Sequence, residues 1–458
     1  MLVALAGCAL RAPPSGEVIR GQMQAQTGVS DSWTGGDVAS DAVIDGWVAE
    51  FADPVLDAYI EEALTNNADL QSAAMRVEQA RHYVTAAGGA LYPAVNAMAR
   101  GGGNDADPSA GWAGAVISAA WELDVWGRVR AGRAAAVQSH FAAAADYAFA
   151  KQSLAALTAK SWFLAIEAQL QLAIAEDSVR TAELVVELAR SRLAFGAGAE
   201  YDIVIAQASL GTLLDTQQQL KLAHQQSLRA LEILLGRYPA ARLASAVELP
   251  KMPPPVPAGL PSQLLERRPD VVAAERRITA AFYMAEEART ARLPQISLTG
   301  SASDISSDLF VLKDRNNPVW SAGARLLAPL FRGGALKAQH EIRTAEQAQA
   351  IAEYTNIGLR AFNEVEVALA NEFALKARES ILQSVVDRNR RALELAQARY
   401  RLGASDLRDV SQQQLALFSA STTLLRVQTE ARVQRVNLYL ALGGNFASTA
   451  SARNETAP

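Results

Sequence analysis

Side chains able to do chemistry are few in this 458-residue chain and are poorly spaced for it. The four histidines, His82, His140, His224 and His340, are scattered, with no HExxH or other paired-ligand spacing. Carboxylate pairs such as Glu61-Glu62 and Glu286-Glu287 are sequence neighbours on helical segments, so they diverge instead of sharing a proton or a metal. No Gly-x-Ser-x-Gly elbow presents a serine nucleophile. The stretch Gly333-Gly334-Ala335-Leu336-Lys337 lacks the GxxxxGK[ST] spacing that cradles nucleotide phosphates. Cys8, the only cysteine, can neither close a disulfide within the chain nor complete a thiolate zinc site. These patterns predict no catalytic residue, no metal and no cofactor, and hence no enzyme.

Composition narrows the classes further. Half the residues are hydrophobic but only 6% are aromatic, so the apolar content is mainly Ala and Leu, both strong helix formers. A net charge of −5 gives no basic footprint for nucleic acid. No run approaches the roughly 18–20 apolar residues of a spanning helix. A chain of this kind that crosses a membrane must do so as a β-barrel, the other structure that satisfies its backbone in lipid.

The elements that would position any site are written twice. Asp69/Asp270, Arg76/Arg277 and Pro93/Pro294 each lie 201 positions apart. Gly196/Gly403, Asp202/Asp409, Leu231/Leu438, Leu235/Leu442 and Gly236/Gly443 each lie 207 apart. A constant offset of this kind is an internal duplication. No proline occurs from Ser109 through Tyr238 or from Leu330 through Ala457, whereas eight fall between Pro239 and Pro269. Two tracts can therefore hold very long helices, and the proline cluster reads as an extended linker. The first repeat spans 54–236, with a helix from Pro54 to about Leu91, a β-hairpin at 94–123, and long helices turning at a tip near 196–202. The second spans 263–442, with a helix from Pro269 to about Leu293, a hairpin at 295–328, and a tip near 403–409. The tract from Arg133 to Phe195 contains neither Gly nor Pro and, as a helix, would extend roughly 95 Å. The predicted remainder is a leader remnant at 1–7, an N-terminal segment at 8–53, the linker at 237–262 and a tail at 443–458.

Alternation defines the strands. In the first hairpin Ala113, Ala115, Ile117, Ala119 and Trp121 fall on one face, with Gly114, Ser118 and Glu122 opposite. In the second, Ile296 and Leu298 alternate with Ser297 and Thr299, and Trp320, Ala322, Ala324 and Leu326 with Ser321, Gly323 and Arg325. Four strands cannot close a membrane barrel, whose smallest members use about eight. Copies must pool them, and three copies would give twelve. Trp112, Trp121, Trp126, Trp320, Tyr92, Phe310 and Phe331 lie near strand ends, as in an aromatic girdle. Aromatics at strand ends also cap soluble sheets, which leaves a second reading open.

Four stretches carry a family resemblance: "LAGC" at the start, "WELDVWGRVRAG" entering the first long helix, "ERRPDVVAAERRITAA" opening the second half, and "LPQISLTG" followed by "PLFRGGALKA". Together they resemble the outer membrane efflux proteins, the TolC-like family, and in particular its lipoprotein branch that serves RND-type drug pumps. The resemblance runs from about Pro54 to Gly444. It implies a mainly α fold with a small β part: long antiparallel helices forming a trimeric α-barrel, plus a 12-strand transmembrane β-barrel to which each chain gives four strands. The implied function is the exit duct of a tripartite pump, passing drugs or other small molecules. The implied partners are two further copies, a periplasmic membrane-fusion adaptor, an inner-membrane RND transporter and outer-membrane lipid. The 8–53, 237–262 and 443–458 segments would form a belt around the helices.

The same resemblance assigns candidate sites. Adaptor contact falls to Arg192, Phe195, Gly196, Arg399, Arg401, Leu402 and Gly403, and a periplasmic gate to Asp202, Asp406, Arg408, Asp409 and Gln412. Relatives that use acidic gate rings carry an acid where this chain has Gln412, so Arg408 is expected instead to hold the tip shut through salt bridges. Leu5-Ala6-Gly7-Cys8 resembles a lipobox, implying acylation at Cys8 and a lipid anchor in a Gram-negative outer membrane. The seven residues before Cys8 fall short of an export signal, so a start further upstream is expected. A type I protein-secretion duct and a lipid-anchored periplasmic scaffold without a pore are the alternatives.

Overall fold

A computed structural model describes residues 11–30, 32–36, 43, 45–104, 107–244, 246–306 and 319–446. Cys8, the 1–7 leader, Phe310, the side chain of Trp112 and residues 447–458 of the tail lie outside them. Helix α1 (Gly16–Thr27) is followed by α2 (Pro54–Asn66), α3 (Ala68–Gly89), strands β1 (Ala94–Asn104) and β2 (Asp107–Leu123), α4 (Arg128–Ala194) and α5 (Glu200–Leu234). The second half runs α6 (Pro261–Arg267), α7 (Pro269–Thr290), β3 (Gln295–Ser306), β4 (Val319–Leu327), α8 (Ala335–Arg401) and α9 (Leu407–Ala441). Helices α4 and α8 are both 67 residues long, and α5 and α9 are both 35. No helix among the described residues is long and apolar enough to cross a membrane.

Contacts divide the chain into two compact units, Met1–Gly28 with Ala74–Tyr147 and Asp270–Gly358, and Val29–Ala73 with Ala148–Pro269 and Leu359–Pro458. The first unit holds the strands. They form one antiparallel sheet in the order β1-β2-β3-β4, so the two hairpins join edge to edge and β1 and β4 end the sheet. Register aligns Ala97, Ile117, Ala302 and Trp320 in one row and Val95, Ala119, Gly300 and Ala322 in the next. Ile117 is 56% exposed and Trp320 78%. On the opposite face Asn96, Ser118, Ser301 and Ser321 make a polar row, with the Ser301 and Ser321 hydroxyls 2.8 Å apart. The C-terminal end of β2 is tied to the helix-to-strand connections: Trp121 Nε1 donates to the Leu91 carbonyl at 2.9 Å, and Trp126 Nε1, just past β2, to that of Pro294 at 2.6 Å. The N-terminal segment, expected to be belt, contributes α1 to this unit. Ser15 caps that helix, and Arg20 pairs with Glu275 of α7 at 2.9 Å.

The second unit corrects one sequence expectation. The helix predicted from Pro54 to about Leu91 is two helices, broken at Asn67, whose side chain accepts from Leu70 N at 3.0 Å and so starts α3 afresh. The duplicate breaks at the matching residue, Arg268, between α6 and α7. Both breaks serve the same end. Asn67 Nδ2 donates to the Leu234 carbonyl at 3.1 Å, and Arg268 Nη1 to the Ala441 carbonyl at 3.2 Å. Leu234 and Ala441 are the last residues of α5 and α9, whose final carbonyls have no partner within the helix. Gly236 (φ +74°) and Gly443 (φ +68°) let the chain leave those ends, and a Cβ there would meet Asn66 O at 2.8 Å and Arg267 O at 3.2 Å.

The linker is bound by side chains more than by secondary structure. Arg435, 3% exposed, donates to the Pro253 carbonyl at 2.8 Å and to that of Pro254, and pairs with Glu372. Trp33 Nε1 reaches the Ala258 and Gly259 carbonyls at 3.2 and 3.1 Å, and Gly46 N reaches Asn445 O at 2.8 Å. Glu232 accepts from Ala241 N and Arg242 N, each at 2.7 Å. Burial alone would raise its pKa, but backbone donors from Ala240 to Leu243 outweigh that and hold it below the usual value.

Two predictions follow from these contacts. Gly236→Ala is expected to cost about 1–2 kcal/mol, from the positive φ and the Asn66 clash together, seen as a lower denaturation midpoint. Because the folded-state pKa of Glu232 is depressed, its contribution is complete above the unfolded carboxylate value, about 4.3. It is lost as pH falls through the folded value, so acid denaturation of Glu232→Gln should lack this component while wild type shows it.

Candidate functional site

The candidate residues gather where α4 turns into α5 and α8 into α9, all within the second unit. Each turn closes by the same motif. Gly196 N donates to Leu193 O and Ala197 N to Arg192 O, both at 2.9 Å; Gly403 N donates to Tyr400 O at 3.0 Å and Ala404 N to Arg399 O at 2.9 Å. This Schellman pattern needs a left-handed residue, and Gly196 and Gly403 supply it at φ 71° and 72°. Beneath the turns Val185, Val186, Ala189, Ala206, Leu393, Ala396, Tyr400, Leu407 and Val410 form one buried cluster. The two turns are therefore held side by side by an apolar core that all four helices supply.

Polar contacts then lock one turn to the other. Arg192 lies over the Tyr400 ring, 4.4 Å from its centroid, and donates to the Tyr400 carbonyl. Its other nitrogen reaches Ala197 O at 3.0 Å. The Tyr400 hydroxyl points at Asp202, 3.4 Å away. Burial, reinforced by the Asp202 charge, pushes that hydroxyl's pKa up, so it remains a donor at physiological pH. Arg408 Nη2 donates to the Tyr201 hydroxyl at 2.9 Å, and this bond raises the Arg408 pKa. Among the described residues Arg408 makes this hydrogen bond and no ion pair, which differs from the expected salt bridges. The reason is local: Asp406 is occupied as the α9 N-cap, accepting from Arg408 N at 3.0 Å, and Asp409 accepts from Ser405 Oγ at 2.7 Å.

The remaining candidates face solvent. Phe195 is 87% and Leu402 83% exposed at matching positions of the two turns. Arg401 and Gln412 are exposed, and Arg399 reaches only as far as its own turn, donating to Ala404 O at 3.3 Å. Sequence reasoning missed Tyr201 and Tyr400, the aromatic partners of the two arginines. It also missed Gln414, buried and donating to the Ser178 carbonyl at 2.8 Å. Superposing the duplicated halves would have flagged the tyrosines, because Tyr201 is equivalent to Arg408 and Tyr400 to Leu193. Among the described residues no group of His, Cys, Asp and Glu is placed to hold a metal ion.

The model of the outer membrane efflux protein family matches residues 59–237 and 260–444, one match per repeat. The chain belongs to that family. It is 32% identical over 429 residues to the pyoverdine export outer membrane protein OpmQ of Pseudomonas putida, covering 89% of each chain. It is 31% identical over 433 residues to the outer membrane protein OprJ of Pseudomonas aeruginosa, covering 91% of this chain and 90% of OprJ. A structure of the open state of the MtrE outer membrane channel of Neisseria gonorrhoeae matches with a TM-score of 0.80 at 26% identity, over 96% of this chain and 98% of that one. The mainly helical fold with one small antiparallel sheet is thus that of the family's channels.

The two tip arginines should not be equivalent. Arg192→Ala removes the ring contact and the bridge between turns, an expected loss of about 1–2 kcal/mol of local stability. Arg399→Ala removes one long bond within a single turn. Hydrogen exchange of amides around 192–204 and 399–409 should quicken about tenfold in the first variant and little in the second.

Proposed function

We propose that this chain is one third of an outer-membrane exit duct, through which a tripartite efflux pump passes small molecules without catalysis. The observation that carries this reading is the sheet itself. Its four strands lie side by side, with Ile117 and Trp320 exposed in an apolar row on one face, a row of Asn96, Ser118, Ser301 and Ser321 on the other, and β1 and β4 as open edges. Such edges are untenable in lipid, where each unpaired backbone group costs several kcal/mol. Three copies joined β4 to β1 would give twelve strands and no edge, with the serine row lining a wet lumen and Ile117 and Trp320 meeting lipid. The relative named for pyoverdine export supports small molecules as cargo. Energy would come from an inner-membrane RND transporter, linked by a periplasmic adaptor that docks around Phe195, Leu402 and the exposed arginines Arg399 and Arg401. Cys8 in its Leu-Ala-Gly-Cys setting would carry lipid, adding to an anchorage that the barrel already provides.

On this reading the two tips form the periplasmic gate. Arg408–Tyr201 and the Arg192–Tyr400–Asp202 set join the α4–α5 hairpin to the α8–α9 hairpin. Separating the hairpins would break both and widen the lumen, with Asp406, Asp409 and Gln412 nearby to contact what passes.

Two measurements test this. The purified chain should run as three copies per particle in detergent and conduct ions in planar bilayers; a monomer, or a bilayer without conductance, rejects the duct. Tyr201→Phe and Arg408→Ala should each raise conductance several-fold without changing copy number. Unchanged conductance in both would remove the tip bond from the gate.

A further inference from the structure

Two connections lead from a strand into a 67-residue helix, and the duplication makes them equivalent. Gly127 and Gly334, which lie 207 positions apart, directly precede α4 and α8 with φ of 79° and 84°. Their charge is handled differently. In the first copy Arg128 is held by Glu122 at 2.7 Å and Glu287 at 3.6 Å, and Arg130 by Asp124 at 3.1 Å. At the same offset the second copy has Pro329 in place of Glu122 and Phe331 in place of Asp124. Lys337, the counterpart of Arg130, pairs with Glu341 at 3.6 Å, both side chains being well exposed and the pair weak for that reason. Arg292 and Arg332 are exposed and make no ion pair among the described residues.

These cations share a cleft. Arg292, Arg332 and Lys337 line a cavity of 420 Å³ together with Leu293, Leu330 and Phe331. Leu330 and Phe331 are 95% and 89% exposed, just beyond the end of β4 at Leu327. The first connection has acids against its arginines; the second presents Arg292 and Arg332 without an ion pair, and Lys337 with a weak one, beside an exposed phenyl ring and leucine. That pairing matches the chemistry of a bilayer's interfacial zone, where phosphate and acyl chain meet.

We propose that this cleft binds the phosphate headgroup of an anionic phospholipid, on the helix side of the membrane. Arg292 and Arg332 offer forked donors to the phosphate oxygens, Lys337 adds a point charge, and Leu330 and Phe331 lie along the first part of an acyl chain. The site rests on the reading of the strands as membrane-spanning. Free phosphate shares the headgroup chemistry but would leave Leu330 and Phe331 in water.

Native mass spectrometry of the full chain in detergent tests this, with short-chain phosphatidylglycerol, short-chain phosphatidylcholine and inorganic phosphate as separate probes. Phosphatidylglycerol should bind in preference to the other two. The double variant Arg292→Ala/Arg332→Ala should bind it roughly 30-fold more weakly, while Arg292→Lys/Arg332→Lys keeps most of the affinity. Phe331→Ser should weaken lipid and leave phosphate unchanged. Equal phosphatidylglycerol binding by wild type and the double alanine variant overturns the site. So does phosphate binding as tight as lipid with no effect of Phe331→Ser, the result for a simple anion site. Loss of copy number in the variants with lipid unaffected assigns the surface to a neighbouring copy and also overturns it. If the alanine variant does not fold, the lysine variant and Phe331→Ser still decide. A chain that conducts in planar bilayers yet binds no phosphatidylglycerol defeats this proposal alone; one that never conducts defeats the duct as well.

Discussion

The constraint on which the rest depends is the pairing of backbone groups at β1 and β4. A sheet in water can leave its edges to the solvent, but in hydrocarbon every N–H and C=O must find a protein partner. The strands of this sheet run 11, 17, 12 and 9 residues, long enough to cross at a tilt, and the row through Ile117 and Trp320 is apolar on one face while the row through Ser118, Ser301 and Ser321 is polar on the other. That division gives a lone chain no place to hide either face. A sheet with an exposed apolar side and two open edges makes physical sense as a segment of something closed. The helices inherit the consequence: whatever closes the strands also fixes how many copies of α4, α5, α8 and α9 stand together.

The duplication acts as an internal control on which contacts matter. Asn67 and Arg268 are chemically unlike, yet both donate to the final carbonyl of a 35-residue helix at nearly the same distance. An orphan carbonyl at a buried helix end costs too much to leave alone, so the donor persisted while its identity drifted. The glycines opposite, Gly236 and Gly443, are the same in both copies, since any side chain there would be strained by the positive φ and crowded by Asn66 or Arg267. Arg192 and Arg399 likewise both close their own turns through the carbonyl five residues on. Geometry is shared between the copies, and chemistry is free to differ wherever two side chains meet the same need.

This explains what the sequence revealed and what it withheld. Strand limits and tips were legible because they rest on local signals: period-2 alternation around Ile117 and Leu298, and a single glycine closing each long helix. The break at Asn67 was not: the α2 and α3 sequences each favour helix, and the Asn67 side chain that caps α3 is also tied to Leu234, 167 residues away. Helix α1 was hidden by a short, weakly patterned segment whose order comes from Ser15 and from Glu275 of a distant helix. Among the tip candidates, charge drew attention to Arg192, Arg408 and Asp202. The tyrosines that give these charges their partners carry no such flag in a single sequence.

Divergence between the copies is where new interactions can arise. Tyr201 and Arg408 occupy the same position in the two repeats, and they bond to each other. Before they differed, such a contact would have paired two identical side chains: two arginines would repel, and two tyrosines would make a weaker neutral bond. A charge-assisted bond between equivalent positions therefore requires that the repeats be unlike at that point. The strand-to-helix connections follow the same logic in the other direction. Pro329 and Phe331 stand where the first copy has Glu122 and Asp124, so that connection offers no acid, and the exposed Arg292 and Arg332 align with Leu91 and Val125, where the first copy has no charge. A duplicated scaffold keeps its helix ends and turns alike for stability, and places its asymmetry at the tip and at the strand ends, where a duct must meet something other than itself.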